Sequence, residues 1–158
     1  MKHTAVIDSP VGKMKLVADA VGLTSIQFLD SEEILSEEIP NALEEVVKQL
    51  REYFDGKRRD FNLRLSPQGT DFQKRVWREL EKIPFGKTVS YKHIATRLGD
   101  PKVIRAAASA NGKNPIPIII PCHRVIGSDG SLTGYAGGLQ RKKWLLEHEN
   151  PSRQQVLF

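Results

Sequence analysis

Apolar and polar residues alternate along the first thirty positions. His3 to Asp8 alternates, Lys13-Met14-Lys15-Leu16-Val17-Ala18 alternates, and Leu23 to Phe28 carries a third such run. Pro10-Val11-Gly12 and Ala20-Val21-Gly22 separate them as turns. Side chains in a strand point to opposite faces at a period of two, so these runs predict an antiparallel meander with one buried face. Asp30 to Pro40 is acidic, has no period and reads as a loop or a short helical turn. Asn41 then predicts an N-cap for a helix to about Phe54, because Leu43, Val46, Val47, Leu50 and Phe54 recur at three and four. Phe61, Leu63 and Leu65 alternate again and predict a short strand.

The second half is helical in pattern. Thr70 or Asp71 caps a helix to about Lys82, with Phe72, Val76, Trp77 and Leu80 as its apolar stripe. Ser90 caps a short helix from Tyr91 to Leu98 that Gly99 stops. Asp100-Pro101 opens another, running to Asn111-Gly112. Two short helices joined by a tight turn have the outline of a helix-turn-helix. Asn114-Pro115-Ile116-Pro117 should be extended, because each proline turns the residue before it away from helix. Gly127-Ser128-Asp129-Gly130 reads as a hairpin tip, and a last helix runs from about Leu139 to His148, burying Trp144, Leu145 and Leu146. Asn150 to Phe158 carries no signal.

Charge divides the chain where the pattern does. Residues 1–68 carry a net −3 and residues 69–158 a net +8, with Ser66-Pro67-Gln68-Gly69 as the natural linker. The expected organisation is an N-terminal scaffold domain, 1–68, and a C-terminal functional domain, 69–158. The basic half suits a polyanion, although many basic domains bind no nucleic acid. No apolar run approaches the roughly 18 residues that cross a bilayer, and the first residues lack the features of a signal peptide, so a soluble cytoplasmic protein is expected. One cysteine excludes an internal disulfide and any zinc site needing two cysteines. The four histidines are scattered, so neither a metal nor a cofactor is expected.

The candidate chemistry lies in Ile118-Ile119-Ile120-Pro121-Cys122-His123-Arg124-Val125. An apolar run delivers the single thiol between a proline and two side chains that can be cationic. Cationic or hydrogen-bonding neighbours favour the thiolate, which is the nucleophile. A lone cysteine in an apolar run is also an ordinary core residue.

The wider context decides between these. Pro-Cys-His-Arg-Val after Asn-Pro-x-Pro, followed by Gly134-Tyr135-Ala136-Gly137-Gly138 and a closing Trp-Leu-Leu-x-His-Glu helix, resembles the O6-alkylguanine-DNA alkyltransferases over about residues 69–149. Residues 1–68 resemble that family's variable N-terminal domain only in strand pattern and length. The resemblance implies an α+β fold: a small antiparallel sheet plus helix, ribonuclease H-like, then a mostly helical winged helix-turn-helix domain. It implies repair of duplex DNA by one irreversible alkyl transfer from O6 of guanine, with O4-alkylthymine as a second substrate, by a monomer with no cofactor.

Site roles follow from the same resemblance. Cys122 is the alkyl acceptor, and His123 deprotonates it through a bound water. Glu149 orients His123, and Asn114 braces the turn. Tyr91 donates to N3 of the guanine. Arg124 is expected only to tie the loop to the fold, and His148 has no assigned role. Arg105 is the finger that fills the stack when the nucleotide swings out, on a helix that enters the minor groove. Ala106, Ser109 and Ala110, with Lys102 and Ser90, line the DNA. Val125, Tyr135, Ala136 and Gly137 form the base pocket. Ala136 departs from relatives with a serine there and cannot offer that hydroxyl to O6. The small residues of 102–111 fit equally well with tight packing on another helix.

Two rival readings are weighed beside this one. A non-catalytic lesion-binding relative would lack the acceptor cysteine. An unrelated Cys-His hydrolase would explain neither the helix pair nor the basic half.

Overall fold

The computed structural model describes residues 2–132 and 134–151 and divides into two compact units, Met1–Gln68 and Gly69–Phe158. In the first, β1 (His3–Ile7), β2 (Lys13–Ala18) and β3 (Leu23–Leu29) form an antiparallel meander in that order, with His3 opposite Ala18 and Lys13 opposite Leu29. The period-two pattern in β2 buries Met14, Leu16 and Ala18 on one face. Helix α1 (Asn41–Phe54) packs against β1 and β2 through Leu43, Val46, Val47, Leu50 and Tyr53. Two details differ from expectation. Pro40 precedes the helix as its N-cap and Asn41 is already helical, so no side chain caps it. Tyr53, fully buried, takes the inward place given to Phe54.

The expected strand at 61–65 is replaced by a single parallel bridge from Leu23 to Leu65. Leu23 N–H donates to Arg64 O at 2.9 Å, and Ser66 N–H to Leu23 O at 2.7 Å. Farther back, the buried amide of Gln49 on α1 takes both backbone groups of Asn62. It accepts from Asn62 N at 2.9 Å and donates to Asn62 O at 3.1 Å. Asn62, with both backbone groups engaged by that side chain, has none left for a ladder. Gly22 makes the bridge possible, since a Cβ there would lie 2.4 Å from Arg64 O.

In the second unit, α2 (Asp71–Leu80) begins at Thr70, whose hydroxyl accepts from Gln73 N while the Gln73 side chain accepts from Thr70 N. This reciprocal cap satisfies two orphan donors. Val76, Trp77 and Leu80 are buried, and Phe72 only partly. Helix α3 (Tyr91–Arg97), capped by Ser90, connects through Gly99 and a 3-10 turn, Pro101–Val103, to α4 (Ile104–Gly112). The expected single helix from Pro101 is therefore two pieces. Asp100 caps the first of them, accepting from Lys102 N at 2.9 Å.

The short strand β4 (Val89–Ser90) pairs in parallel with β5 (Val125–Ile126). The turn at 127–130 is present, with Gly127 N–H donating to Ser131 O at 2.9 Å. No strand is assigned at Ser131 or Leu132, and Thr133, where the chain continues, lies outside the described residues. Helix α5 (Leu139–Glu149) closes the unit. Among the described residues, no helix is long and apolar enough to cross a membrane.

Candidate active site

Asn114-Pro115-Ile116-Pro117, expected to be extended, bends at Pro115 and Ile116 and enters a turn that runs from Pro117 to Ile119. Ile120 N–H reaches back to Ile116 O at 3.0 Å and Ile119 N–H to Pro117 O at 2.9 Å. The reversal places Ile118 at φ 75°, a left-handed conformation that a β-branched residue adopts only under strain. Asn114 holds the turn from inside: its Nδ2 donates to Ile120 O at 2.7 Å and its Oδ1 accepts from Ile116 N at 3.0 Å. Ile116, Ile118 and Ile120 are sealed in the core. The turn delivers Cys122–Arg124 as one turn of 3-10 helix running into β5.

All three residues of that turn are buried, Cys122 retaining 5% of its surface and His123 none. His123 Nε2 lies 2.7 Å from Glu149 Oε2, at the far end of α5. A carboxylate only accepts, so Nε2 carries the hydrogen and Nδ1 keeps its lone pair. Nδ1 has no hydrogen-bond partner among the described residues. Arg124 holds the same carboxylate, Nε to Oε1 at 2.8 Å and Nη2 to Oε2 at 3.0 Å. Its remaining nitrogen donates to Ile83 O at 2.7 Å, and its guanidinium lies 5.8 Å from the centre of the Phe85 ring.

The charges follow from this packing. Glu149 is held far below the ordinary carboxylate range, His123 and Arg124 outweighing the cost of burial. Burial also lowers His123, against the pull of Glu149, whose charge Arg124 already compensates. The resting imidazole is neutral and able to accept a proton. Burial pushes the Cys122 thiol up to about 11, with Asn114 and Lys142 opposing it. The sequence pointed to a thiolate favoured by its neighbours; desolvation wins instead, and the resting sulfur is a neutral thiol. It would be ionised in only about one molecule in ten thousand at neutral pH.

The remaining candidates fall into two groups. Lys102, Arg105, Ala106 and Ser109 lie exposed on the 3-10 turn and α4. Ala110 does not join them. It is 2% exposed, and its carbonyl accepts the Trp77 indole N–H at 2.9 Å. Ala107 and Ala110 let α4 pack against α2, so one helix uses small residues on both faces. Ser90 is spent as the α3 cap, accepting from His93 N at 3.0 Å.

Val125 is fully buried, and its carbonyl is taken by Lys142 Nζ at 2.7 Å. The β4–β5 pair brings Tyr91, the first residue of α3, beside this segment. Its ring centre lies 6.0 Å from the same ammonium. Tyr135 is held protonated by burial and by its electrostatic contact with Cys122. Ala136 is exposed, and the Gly137 carbonyl accepts from Arg141 at 2.9 Å. Thr133, between the turn and this loop, lies outside the described residues.

Residues 2–67 match the ribonuclease-like domain of 6-O-methylguanine DNA methyltransferase, and residues 71–151 match its DNA-binding domain. The chain belongs to the 6-O-methylguanine DNA methyltransferase family. A methylated-DNA–protein-cysteine methyltransferase of Methanosarcina barkeri is 50% identical over 149 residues, which is 91% of this chain and 94% of that protein. The crystal structure of Mycobacterium tuberculosis OGT in complex with DNA is 46% identical, with a TM-score of 0.85 over 94% of this chain and 93% of that one. The Mycobacterium tuberculosis O6-methylguanine methyltransferase superposes equally well, TM-score 0.85 at 45% identity, over 96% of this chain and 94% of that one.

Sequence reasoning underrated two residues of this methyltransferase site. Arg124, expected only to tie the loop to the fold, grips the carboxylate that ends the His123 chain. Lys142 was not singled out at all, although it is fully buried. A signal was available: Lys142, Leu145, Leu146 and Glu149 are spaced at three, one and three along α5 and share its inward stripe. Charged residues at both ends of an apolar stripe mark a site, because burying a charge is costly unless it has a task or a partner. Among the described residues, no group of three or more His, Cys, Asp and Glu could hold a metal ion.

Proposed function

We propose that this protein repairs duplex DNA by accepting onto Cys122 the alkyl group of an O6-alkylguanine, once per molecule and irreversibly. The observation that carries this reading is the buried Cys122-His123 pair ending on Glu149 through a 2.7 Å bond, in a chain of the methyltransferase family. The names of the relatives and the DNA complex of the mycobacterial protein support the substrate class.

The step runs as a displacement at the alkyl carbon. The Sγ–C bond forms as the C–O6 bond breaks. The thiol proton passes through a bridging water to His123 Nδ1, and Nε2–H stays on Glu149, which stabilises the imidazolium. The departing guanine gains electrons at O6 and then takes up a proton. A hydrogen bond from the Tyr91 hydroxyl to N3 opposes the charge on it meanwhile. The product is a thioether. The chain has no second cysteine to regenerate the first.

A thiol only 5% exposed cannot reach a base stacked in a duplex. The nucleotide must therefore leave the stack, at a cost of a few kcal/mol that a poorly paired lesion reduces. The α3–α4 pair acts as a helix-turn-helix with α4 in the minor groove. Arg105 fills the gap, Ala106 and Ser109 allow close approach, and Lys102 and the Ser90 turn lie along the backbone. The extruded base sits against Val125, Tyr135, Ala136 and Gly137. O4-alkylthymine fits the same chemistry. The protein acts as a monomer without a metal, in the cytoplasm, with residues 1–68 as scaffold and 69–158 as the working domain.

The test is stoichiometry. With labelled O6-methylguanine duplex in excess, the expected yield is one methyl transferred per chain, after which transfer stops. Continued turnover, or no transfer, overturns the proposal.

A further inference from the structure

Two side-chain amides, three residues apart, hold the backbone around the nucleophile. Asn114 Nδ2 donates to Ile120 O at 2.7 Å, and Asn111 Nδ2 donates to Cys122 O at 3.5 Å. Asn111 belongs to α4, the helix whose exposed side carries Arg105. It is itself only 4% exposed and lies off that side. Its neighbour Ala110 is tied to α2 through the Trp77 indole at 2.9 Å, so the amide projects from an anchored point. Cys122 is thereby held on both sides of its Cα. Its N–H donates to Ile120 O at 2.8 Å, and its carbonyl accepts from Val125 N and from Asn111. Holding both peptide groups sets the direction in which the Cα–Cβ bond leaves the chain.

The other end of the Asn111 amide is unmatched. Oδ1 is buried and meets no donor among the described residues. Reversing the amide gives no remedy, because it would set one oxygen acceptor against another. An unmet buried acceptor costs stability, whereas an apolar side chain of similar shape can be neutral or better. Stability therefore does not account for an asparagine at this position, and the contact with Cys122 O does. That contact is long, as contacts at reacting sites often are before substrate binds and draws them in.

We propose that Asn111 is a positioning residue for alkyl transfer: by holding the Cys122 carbonyl it makes α4, the helix proposed to meet DNA, the reference from which the sulfur is aimed at the alkyl carbon. This rests on the transfer reading above. Asn111 moves no proton and acts only through Cys122. Displacement needs sulfur, carbon and O6 in line, and a misplacement of about 1 Å can cost about a hundredfold in rate.

Asn111→Leu and Asn111→Ala both remove the amide. Leu fills the site and Ala empties it, so a packing role would separate the two by stability. A positioning role is lost in both. Thermal unfolding, duplex affinity and single-turnover transfer at saturating DNA are measured on the full chain. Duplex affinity should be unchanged, and transfer should be about tenfold slower or worse in both variants. The same loss should appear with free O6-methylguanine, a substrate that Arg105→Ala should spare. Asn111→Leu, which removes the unmet acceptor, should melt no lower than wild type. A wild-type rate in either folded variant overturns the proposal. So does a loss confined to duplex substrate, or one that follows melting temperature across the pair. If one variant fails to fold, the rates of the other decide; if both fail, Asn111 is a structural residue and the proposal falls. A wild-type chain that transfers no methyl sinks the repair reading and this inference with it, whereas an active wild type beside unimpaired variants sinks this inference alone.

Discussion

Arg124 grips both oxygens of Glu149, at 2.8 and 3.0 Å, and the second of these is the oxygen that meets His123 at 2.7 Å. One carboxylate thus serves a cation that fixes its position and an imidazole that needs its charge. Glu149→Gln keeps the shape and removes the charge, leaving Arg124 buried without its counter-ion. The expected loss of stability is about 3–5 kcal/mol, as for breaking a buried pair from one side. Transfer should fall by about a hundredfold or more, because the imidazolium loses its stabiliser. Chemical denaturation and single-turnover kinetics check the two effects separately. Arg124→Lys should not rescue stability, since an ammonium cannot hold both oxygens in a planar fork.

Acid should weaken the second unit in two stages. Burial depresses His123 in the folded state, so the native protein refuses a proton that the unfolded chain takes below about 6.5. Glu149 is depressed too, by His123 and Arg124, and the unfolded carboxyl takes its proton below about 4.3. For both groups the stabilising contribution is complete above the unfolded value and drains as pH falls toward the folded one. Both tryptophans, Trp77 and Trp144, lie in this unit. Urea midpoints read by tryptophan fluorescence should therefore fall below about pH 6.5 and more steeply below about 4.3. His123→Asn should abolish the first stage.

Asn114 links stability to reactivity. Its amide pins the turn that holds Ile118 left-handed and also hydrogen-bonds Cys122, lowering the thiol. Asn114→Ala should cost about 1–3 kcal/mol for the orphaned backbone groups. It should also raise the thiol midpoint in iodoacetamide titration, an effect a purely structural asparagine would not produce.

Arg105 is exposed on α4 and makes no ion pair among the described residues. Arg105→Ala should leave the melting temperature unchanged while slowing transfer from duplex DNA by about tenfold or more, as the proposed finger role requires. Transfer to free O6-methylguanine, which needs no extrusion, should change far less. Equal losses on both substrates would remove the finger role.

Local rules read the elements well and the connections badly. The meander, the Leu43–Leu50 stripe of α1 and the helices around Trp77 and Leu145 follow from periodicity, because burial acts on every second or every third and fourth residue. Within 61–65, where a strand was expected, the Gln49 side chain, thirteen residues away, takes both backbone groups of Asn62. The extended run expected at Asn114–Pro117 failed because a proline rule speaks of single residues, whereas the buried Asn114 amide pins a bend and a turn. At the site, Cys122, His123 and Glu149 were legible from a resemblance and not from spacing: twenty-six residues separate His123 from its carboxylate. Lys142 was legible in principle, as a charge on an apolar stripe. The neutral resting thiol was not, because desolvation is a property of the packed site.

The central claim is that the alkyl group ends on one sulfur. The direct measurement is peptide mass spectrometry after mixing the protein with duplex DNA containing O6-methylguanine, with Cys122→Ser as control. The account predicts one added methyl on the peptide carrying Cys122, and for the serine variant DNA binding without any methyl gain. A methyl found on another residue, or transfer retained by Cys122→Ser, would contradict it.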